Sequence, residues 1–171
     1  MPFWNLKTKV SMRKIKFLIV FLISFCAFNF YGQKKKEIKK YAIKTVTTTK
    51  ILGAKSLKDE KLSYNGSGLL AEECKYDDQG ELEYIVKYKY NVDEDVIEEL
   101  NYDSKNMLTE RRTMKYNVLS QKTEELVADK DGKQIKKFTY SYNSKGLRTE
   151  KKTFDTNNHL VITKNIGYTY K

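Results

Sequence analysis

Glutamates that recur among tyrosines are the residues of this chain best able to do chemistry. Glu72, Glu98, Glu124 and Glu150 stand 26 residues apart, within strand-like segments rich in tyrosine. Tyrosine rings stack on the apolar face of a sugar, and carboxylates accept hydrogen bonds from its hydroxyls. The pattern predicts a ligand-binding face, to which we assign Tyr84, Tyr88, Tyr90, Tyr102, Tyr116, Tyr140, Tyr142, Glu72, Glu98, Glu124 and Glu150.

A structural role for the same glutamates is the alternative interpretation, because opposite charges on neighbouring strands are common in sheets. The predicted register sets Glu98 opposite Arg112 and Glu150 opposite Lys164. A catalytic carboxylate pair needs one asymmetric, desolvated pocket, whereas these glutamates repeat in nearly identical settings. We therefore predict a protein that is not an enzyme, and a glycosidase is the least favoured hypothesis.

No metal or cofactor is predicted. Calcium takes about six to eight oxygen ligands, and no turn of the EF-hand kind supplies a full set. Turn capping explains carboxylates such as Asp77 and Asp129 better, because Asp and Asn accept backbone hydrogen bonds in turns. His159, the single histidine, lies in a predicted turn without ligands at metal spacing.

The elements that position these residues follow from a repeat. Two series with a period of 26 interleave at spacings of 12 and 14. The first series is Tyr64, Tyr90, Tyr116, Tyr142 and Tyr168, and the second is Tyr76, Tyr102, Ala128 and Phe154. All thirteen aromatics from residue 64 onward have even numbers, and period-two alternation is typical of β-strands. One face of the sheet is therefore predicted to be aromatic throughout, with mostly polar odd positions facing water.

The turns are predicted from the same parity, because residues that face each other across two strands share a face. A three-residue loop, built as a type I turn plus a left-handed residue that forms a G1 bulge, keeps even positions together. In residues 76–82, Asp77 would cap the turn, Gly80 would be left-handed and Tyr76 would face Leu82. The left-handed position falls on Gly68, Gly80, Gly132, Gly146, Asn106 and Asn158, and on the less suitable Glu94 and Ser120.

These units predict an all-β fold, an antiparallel meander of about ten strands made of 26-residue double-hairpin repeats. Strands of alternating length slip along one another, so we expect a strongly twisted or curled sheet, barrel-like or a half-shell. The predicted organisation is a signal peptide over residues 1–32, a basic arm and first strand over 33–56, and the β-repeat domain over 57–171.

The motif Tyr-Asp-x-x-Gly-x-Leu is complete in residues 76–82, and residues 64–70 match it with Asn for Asp. It resembles the YD repeats of the Rhs and teneurin families, and the match covers residues 64–170. The resemblance implies spiralling β-sheets, an exported or surface location and carbohydrate binding. This sequence is short and shows no toxin cargo or self-cleaving core, so encapsulation is not expected.

An export signal is predicted at the N-terminus. Arg13, Lys14 and Lys16 precede an apolar run over residues 17–30, which is short for a membrane span of about 20 residues. Met12 is an alternative start, and a retained anchor helix is the alternative to cleavage. We expect cleavage after Gly32, an ending that resembles the signals of the Bacteroidota. The mature protein would then lack a stable membrane span and be periplasmic, at the outer surface or secreted.

Charge and cysteine content restrict the classes of partner and of cross-link that the sequence allows. Residues 1–58 carry fourteen Lys or Arg and one Glu, whereas residues 59–171 carry 19 basic and 21 acidic residues. The repeat region is therefore not basic, and no nucleic-acid partner is predicted. The arm at residues 34–40 is interpreted as a solvated tail. After cleavage Cys74 is the only cysteine, so no intramolecular disulfide can form, and we expect a small half-buried apolar residue there.

These features predict an exported, non-catalytic β-repeat protein that acts as a binding or scaffold module. Its ligand would be a glycan or a protein on the tyrosine-rich face. The alternative hypothesis is a small immunity or partner-capping protein that pairs with another chain through an open edge strand.

Overall fold

The computed structural model of the chain describes residues 31–170, which form one helix and a single antiparallel sheet of ten strands. Each strand pairs with the next one in sequence, so the predicted all-β meander is confirmed; the sheet is curled and open, not closed into a barrel. The elements are α1 Tyr31–Lys40, β1 Thr45–Leu52, β2 Lys55–Tyr64, β3 Leu70–Tyr76, β4 Leu82–Tyr90, β5 Val96–Asp103, β6 Leu108–Tyr116, β7 Lys122–Asp129, β8 Gln134–Tyr142, β9 Arg148–Phe154 and β10 Leu160–Asn165. The predicted signal peptide lies outside the described residues except for Tyr31 and Gly32.

Eight turns of one kind connect the strands from β2 to β10. In the β3–β4 turn, Asp77 Oδ1 accepts hydrogen bonds from the backbone N–H groups of Gln79 and Glu81 at 2.9 and 3.0 Å. Gly80, at φ +82°, donates its N–H to the Asp77 carbonyl at 3.1 Å. The equivalent position is left-handed in every one of the eight turns, including Glu94 at φ 67° and Ser120 at φ 54°. The predicted turn is confirmed.

A β-bulge beside each turn changes which residues share a face of the sheet. Tyr76 faces Leu82 as predicted, but the next pair is Lys75 with Tyr84, which leaves Glu83 as a bulge. The same register shift of one residue occurs beside all eight of these turns. A bulge opposes two residues of one strand to one of its partner, so beyond it even positions face odd ones. The prediction that even positions share one face throughout is therefore wrong.

The corrected faces follow from the observed pairs. Tyr84 faces Asp103, whereas Tyr102 faces Ile85, so these two tyrosines lie on opposite sides of the sheet. We call one side the tyrosine face. It carries the even positions of β4 from Tyr84, of β6 from Glu110 and of β8 from Lys136, and the residues of β3, β5, β7 and β9 that pair with them, and it continues onto β10 through the residues that pair with those of β9. The other side is called the opposite face.

The period-26 tyrosines stabilise bulges. The hydroxyl of Tyr116 donates a hydrogen bond to the Val96 carbonyl at 2.9 Å, immediately before the bulged residue Ile97. A bulge disrupts the ladder locally, so the carbonyl beside it needs another donor. The same bond recurs at a separation of 20 residues from Tyr90 to Leu70, from Tyr142 to Lys122 and from Tyr168 to Arg148.

Burial is concentrated on the tyrosine face of the central strands. Val127, Phe138 and Tyr140 form the buried cluster, with Ile135 and Tyr142 packed against it. No described element forms a second layer over the sheet, because the strands make one sheet and α1 lies at one end of it. Side chains on a single-layer sheet are buried when the sheet curls around them, which is consistent with the curl of this one.

Helix α1 packs on the turn between β2 and β3, so the prediction of a solvated tail at residues 34–40 is wrong. Ile38 is only 5% exposed, and its Cγ2 lies 3.6 Å from the place that a Cβ would take at Gly68. Lys35 also pairs with the carboxylate of Glu94 in the neighbouring turn. Over the described range 31–170, no helix has the length and apolar character needed to cross a membrane.

The left-handed turn position makes Gly80→Val destabilising. Gly80 has φ +82°, and a new Cβ would lie 3.4 Å from Leu57 Cβ. A β-branched residue at positive φ is strongly disfavoured, so we expect a loss of about 2 kcal/mol or more in the free energy of unfolding, measured with urea. Gly66→Val is the control, because Gly66 has no positive φ and open space around it. Equal stability of the two variants would contradict the turn assignment.

The hydrogen bond from Tyr116 to the carbonyl beside the bulge leads to a second prediction. Tyr116→Phe leaves the Val96 carbonyl without its 2.9 Å partner, and we expect a loss of about 1–3 kcal/mol in the free energy of unfolding. Tyr168→Phe removes the equivalent bond at a tyrosine that is 42% exposed, where water replaces the hydroxyl, so its loss should be below about 0.5 kcal/mol. Equal losses in urea unfolding would argue against the bond as the cause.

Candidate functional site

Three neighbouring strands bring two carboxylates to one tyrosine on the tyrosine face. The hydroxyl of Tyr88 on β4 donates to Glu73 Oε2 on β3 at 3.3 Å, and Tyr88 faces Glu99 on β5. Glu73 and Glu99 are also 26 residues apart, and the repeat continues to Glu125 on β7. We call Glu73, Tyr88 and Glu99 the acidic site. Its half-buried tyrosine ring and its acceptor oxygens are the groups that a sugar-binding surface uses.

The site residues predicted from sequence divide between the two faces. The tyrosine face holds six of them, Tyr84, Tyr88, Tyr90, Tyr116, Tyr140 and Tyr142. The opposite face holds the other five, Tyr102, Glu72, Glu98, Glu124 and Glu150. The predicted placement of these glutamates beside those tyrosines is therefore wrong, because the bulge moves them to the other side. Each of these four glutamates is followed directly by a second charged residue, which is Glu73, Glu99, Glu125 or Lys151. These consecutive charged residues were the sequence signal for the acidic site.

The glutamates on the opposite face take part in ion pairs. Glu98 lies 2.5 Å from Lys89 and 3.4 Å from Arg111, and Glu124 lies 2.7 Å from Lys115. Glu72 and Glu150 pair similarly with Lys87 and Lys152, at 3.8 and 2.9 Å. The structural interpretation thus fits these positions, but with other partners than those predicted.

The predicted cross-strand partners need correction. Glu98 faces Thr113 and not Arg112, and Glu150 faces Asn165 and not Lys164. The cause is the residue inserted at each bulge, which displaces every pair beyond it by one. Arg112 instead faces Glu99 on the tyrosine face.

A buried carboxylate with several donors occupies the centre of the tyrosine face. Glu125 is 7% exposed, and its oxygens lie 2.6 Å from Lys122 Nζ, 3.0 Å from the Tyr140 hydroxyl and 3.4 Å from Arg112 Nη1. Arg112 also binds Glu110 through Nε at 2.7 Å. The donors around Glu125 compensate for its burial, so this group stabilises the face and is less available to a ligand than the acidic site.

Ionisation differs along this row of carboxylates. Burial raises the pKa of Glu73 and of Glu99 above the usual range, and the neighbouring cations and hydrogen bonds offset this effect only in part. Burial acts in the same direction on Glu125, but Lys122, Arg112 and the Tyr140 hydroxyl reverse it and lower its pKa. Burial and nearby carboxylates raise the pKa of Tyr84 to about 12, so its hydroxyl stays a donor.

Among the described residues, neither Cys74 nor His159 forms a reactive centre. Cys74 is buried on the opposite face, and burial, together with the charge of Glu72, raises its pKa, which disfavours the thiolate. His159 is exposed in the turn before β10. Among the described residues, no group of three or more His, Cys, Asp or Glu side chains is arranged to hold a metal ion.

Comparison with known proteins gives no family. No family model matches the chain, and no curated protein matches it. Among solved structures, a protein of unknown function from Bacteroides fragilis is similar over 74% of this chain and 95% of its own, with 16% identity and a TM-score of 0.37. TarM is similar over 76% of this chain, with 18% identity and a TM-score of 0.30.

A mutant of TarM from S. aureus, in complex with fondaparinux, alpha-GlcNAc-glycerol and UDP, is similar over 81% of this chain, with 16% identity and a TM-score of 0.30. The chain spans 23% and 27% of the length of the two TarM chains. These scores are too low to support an argument about function. The resemblance to YD repeats stays a prediction.

The raised pKa of Glu99 predicts how stability depends on pH. Its folded pKa lies above the unfolded one, so its contribution to stability is fully present below the unfolded pKa and is lost as pH rises through the folded pKa. Glu99→Gln should therefore be more stable than the wild type at pH 7, and the difference should vanish near pH 4 in urea unfolding. Glu124→Gln, on the opposite face and paired with the exposed Lys115, is the control. A destabilised Glu99→Gln at pH 7 would contradict the assignment.

Proposed function

We propose that this protein is an exported, non-catalytic binding module that holds a glycan on its tyrosine face. The observation that carries the proposal is the acidic site, in which Tyr88 lies between Glu73 and Glu99 on three adjacent strands. A tyrosine ring flanked by hydrogen-bond acceptors suits a pyranose, whose apolar face stacks on the ring while its hydroxyls donate to the carboxylates. Tyr84, on the same face of β4, would supply the neighbouring ring.

The repeat favours binding along a chain over chemistry at one bond. One series of carboxylates on the tyrosine face recurs at every second strand, at Glu73, Glu99 and Glu125, which matches a ligand that is itself a repeat of similar units. Hydrolysis instead needs one carboxyl group set apart from the others by its surroundings and placed on one side of a scissile bond. The non-catalytic role rests on this physical argument.

Export is the part of the proposal that rests on the sequence alone. Its support is the charged start, the apolar run over residues 17–30 and the polar residues that follow. A protein with this signal meets glycans in the periplasm, on the cell surface or outside the cell. Mass spectrometry of the protein from its native host would identify the mature N-terminus.

The second candidate function is capping of a protein partner through an edge strand. Its support is β10, which pairs only with β9 and is exposed over its whole length. Leu160, Val161 and Ile162 are exposed large apolar residues on this edge. An unpaired, apolar strand edge is a template for another strand, and natural proteins usually protect such an edge.

Binding to a glycan array tests the first candidate. Tyr88→Ala should weaken binding of the glycans that the wild type retains by about tenfold or more, because stacking and the hydrogen bond to Glu73 are both lost. Tyr102→Ala, on the opposite face, is the matched control and should change affinity little once its urea unfolding has been checked.

Two results would count against this proposal. A single tight protein partner in pull-downs, without any glycan binding, would favour edge capping instead. Release of reducing ends from a bound glycan, abolished by Glu99→Gln, would overturn the non-catalytic assignment.

A further inference from the structure

The tyrosine face changes charge at its C-terminal end. Lys151 takes the place in the fourth repeat that Glu73, Glu99 and Glu125 take in the first three. It faces Tyr140 on β8 and Lys164 on β10. We call Arg148, Lys151 and Lys164 the cationic end.

Two of the three cations at this end, Arg148 and Lys151, lie over aromatic rings. Arg148 Cζ lies 4.5 Å from the ring centroid of Tyr140, and Lys151 Nζ lies 4.1 Å from that of Phe138. Lys122 also approaches the Tyr140 ring, at 5.4 Å. Rings that hold cations in place present them, pre-organised, to a ligand on the same face.

These cations lack acidic partners within the described part of the chain. Arg148, Lys151 and Lys164 make no ion pair within 4.0 Å there, and the Nε of Arg148 is buried without a hydrogen-bond partner. Glu125, the carboxylate of this face that acts electrostatically on Lys151, is already bound by Lys122 and by Tyr140. A half-buried cation without a counter-charge is unfavourable, and an anionic ligand would supply that charge.

The lowered pKa of Lys151 agrees with this geometry. Burial lowers the pKa of Lys151, and the positive charges of Lys122, Arg148 and Lys164 act in the same direction, while Glu125 opposes them. Nearby cations of this kind create a positive potential that attracts an anion to the end of the face.

We propose that the cationic end binds a carboxylate or sulfate substituent of an acidic oligosaccharide whose other sugars lie on the tyrosine face. The inference rests on the proposed glycan-binding function and specifies its ligand class. Arg148 presents a planar fork that suits either anion, and Lys151 and Lys164 add point charges beside it. The acidic site, on β3 to β5 of the same face, would accept hydrogen bonds from uncharged hydroxyls.

A nucleic acid fits the same face poorly. Its backbone carries a phosphate at every nucleotide, and it would run from the cationic end onto Glu99 and Glu73. The repeat region also has more acidic than basic residues, 21 against 19 over residues 59–171. The face therefore suits a ligand with an anionic substituent at one end and neutral, hydroxyl-rich units at the other.

Matched pairs of oligosaccharides test the inference by calorimetry with the purified protein. Hexagalacturonate is compared with its methyl ester, and a carrageenan hexasaccharide with the same hexasaccharide after chemical desulfation. We expect at least one acidic member to bind about tenfold more tightly than its neutral counterpart at low salt, and this preference to shrink as salt rises. The two pairs distinguish a carboxylate from a sulfate.

Variants show which residues cause the preference for acidic oligosaccharides. Lys164→Gln, at an exposed position, and Arg148→Gln should each remove most of the acidic preference and leave binding of the neutral counterpart nearly unchanged. Lys152→Gln, the neighbour of Lys151 on the opposite face, is the matched control and should retain the preference. Urea unfolding of each variant shows that the fold is intact. A preference that survives in both variants would overturn the assignment to the cationic end.

The remaining outcomes separate this inference from the function on which it rests. Equal affinity for acidic and neutral members would overturn the cationic end as an anion site but leave glycan binding intact. Equally tight binding of single-stranded DNA, or of inorganic sulfate alone, would also overturn it, because neither ligand uses the acidic site. Binding of no glycan, acidic or neutral, on an array of polysaccharides would overturn the proposed function itself.

Discussion

One backbone constraint supports the whole sheet: each of eight turns needs a residue in the left-handed region. The strands pair only with their neighbours in sequence, so each turn by itself sets the register of the pair that it joins. Glycine adopts this conformation without steric cost, and the Asn or Asp that opens the turn binds two backbone N–H groups. At Ser120, where the left-handed residue is neither Gly nor Asn, Asn117 makes both of these bonds; at Glu94, Asn91 accepts one of them, from the Asp95 N–H at 2.8 Å.

The bulge that follows each turn decides which side chains share a face. Without it, tyrosines and the first glutamate of each consecutive pair would lie together; with it, the second residue of the pair takes that place. The period-26 tyrosine is tied to the same feature, because its hydroxyl satisfies the carbonyl beside the bulge in four repeats. Tyrosine thus stabilises the fold at the strand end and forms part of the tyrosine face at the strand centre.

The charge on the tyrosine face therefore changes along the sheet. From β3 to β9 its equivalent positions are Glu73, Glu99, Glu125 and Lys151, so this series changes from acidic to basic across the sheet. Glu125 marks the transition, since it is surrounded by donors from both sides. A repeated fold with varied charges can hold an elongated ligand in one orientation, which an electrically uniform face could not do.

The sequence by itself determined the architecture, because its signals are local. Turn chemistry, the aromatic and leucine pair across each turn, and the alternation within strands act over a few residues, and they predicted ten antiparallel strands and the left-handed positions. The helical form of residues 31–40 was missed, since Ile38 is buried by a turn that lies distant in sequence.

Only the tertiary structure decided the faces. A bulge leaves no distinctive residue type in the sequence, yet it shifts the pairing by one and moves every later side chain to the other side of the sheet. Glu73 and Glu98 are the same residue type on opposite sides of the sheet: Glu73 accepts a hydrogen bond from Tyr88, whereas Glu98 pairs with Lys89.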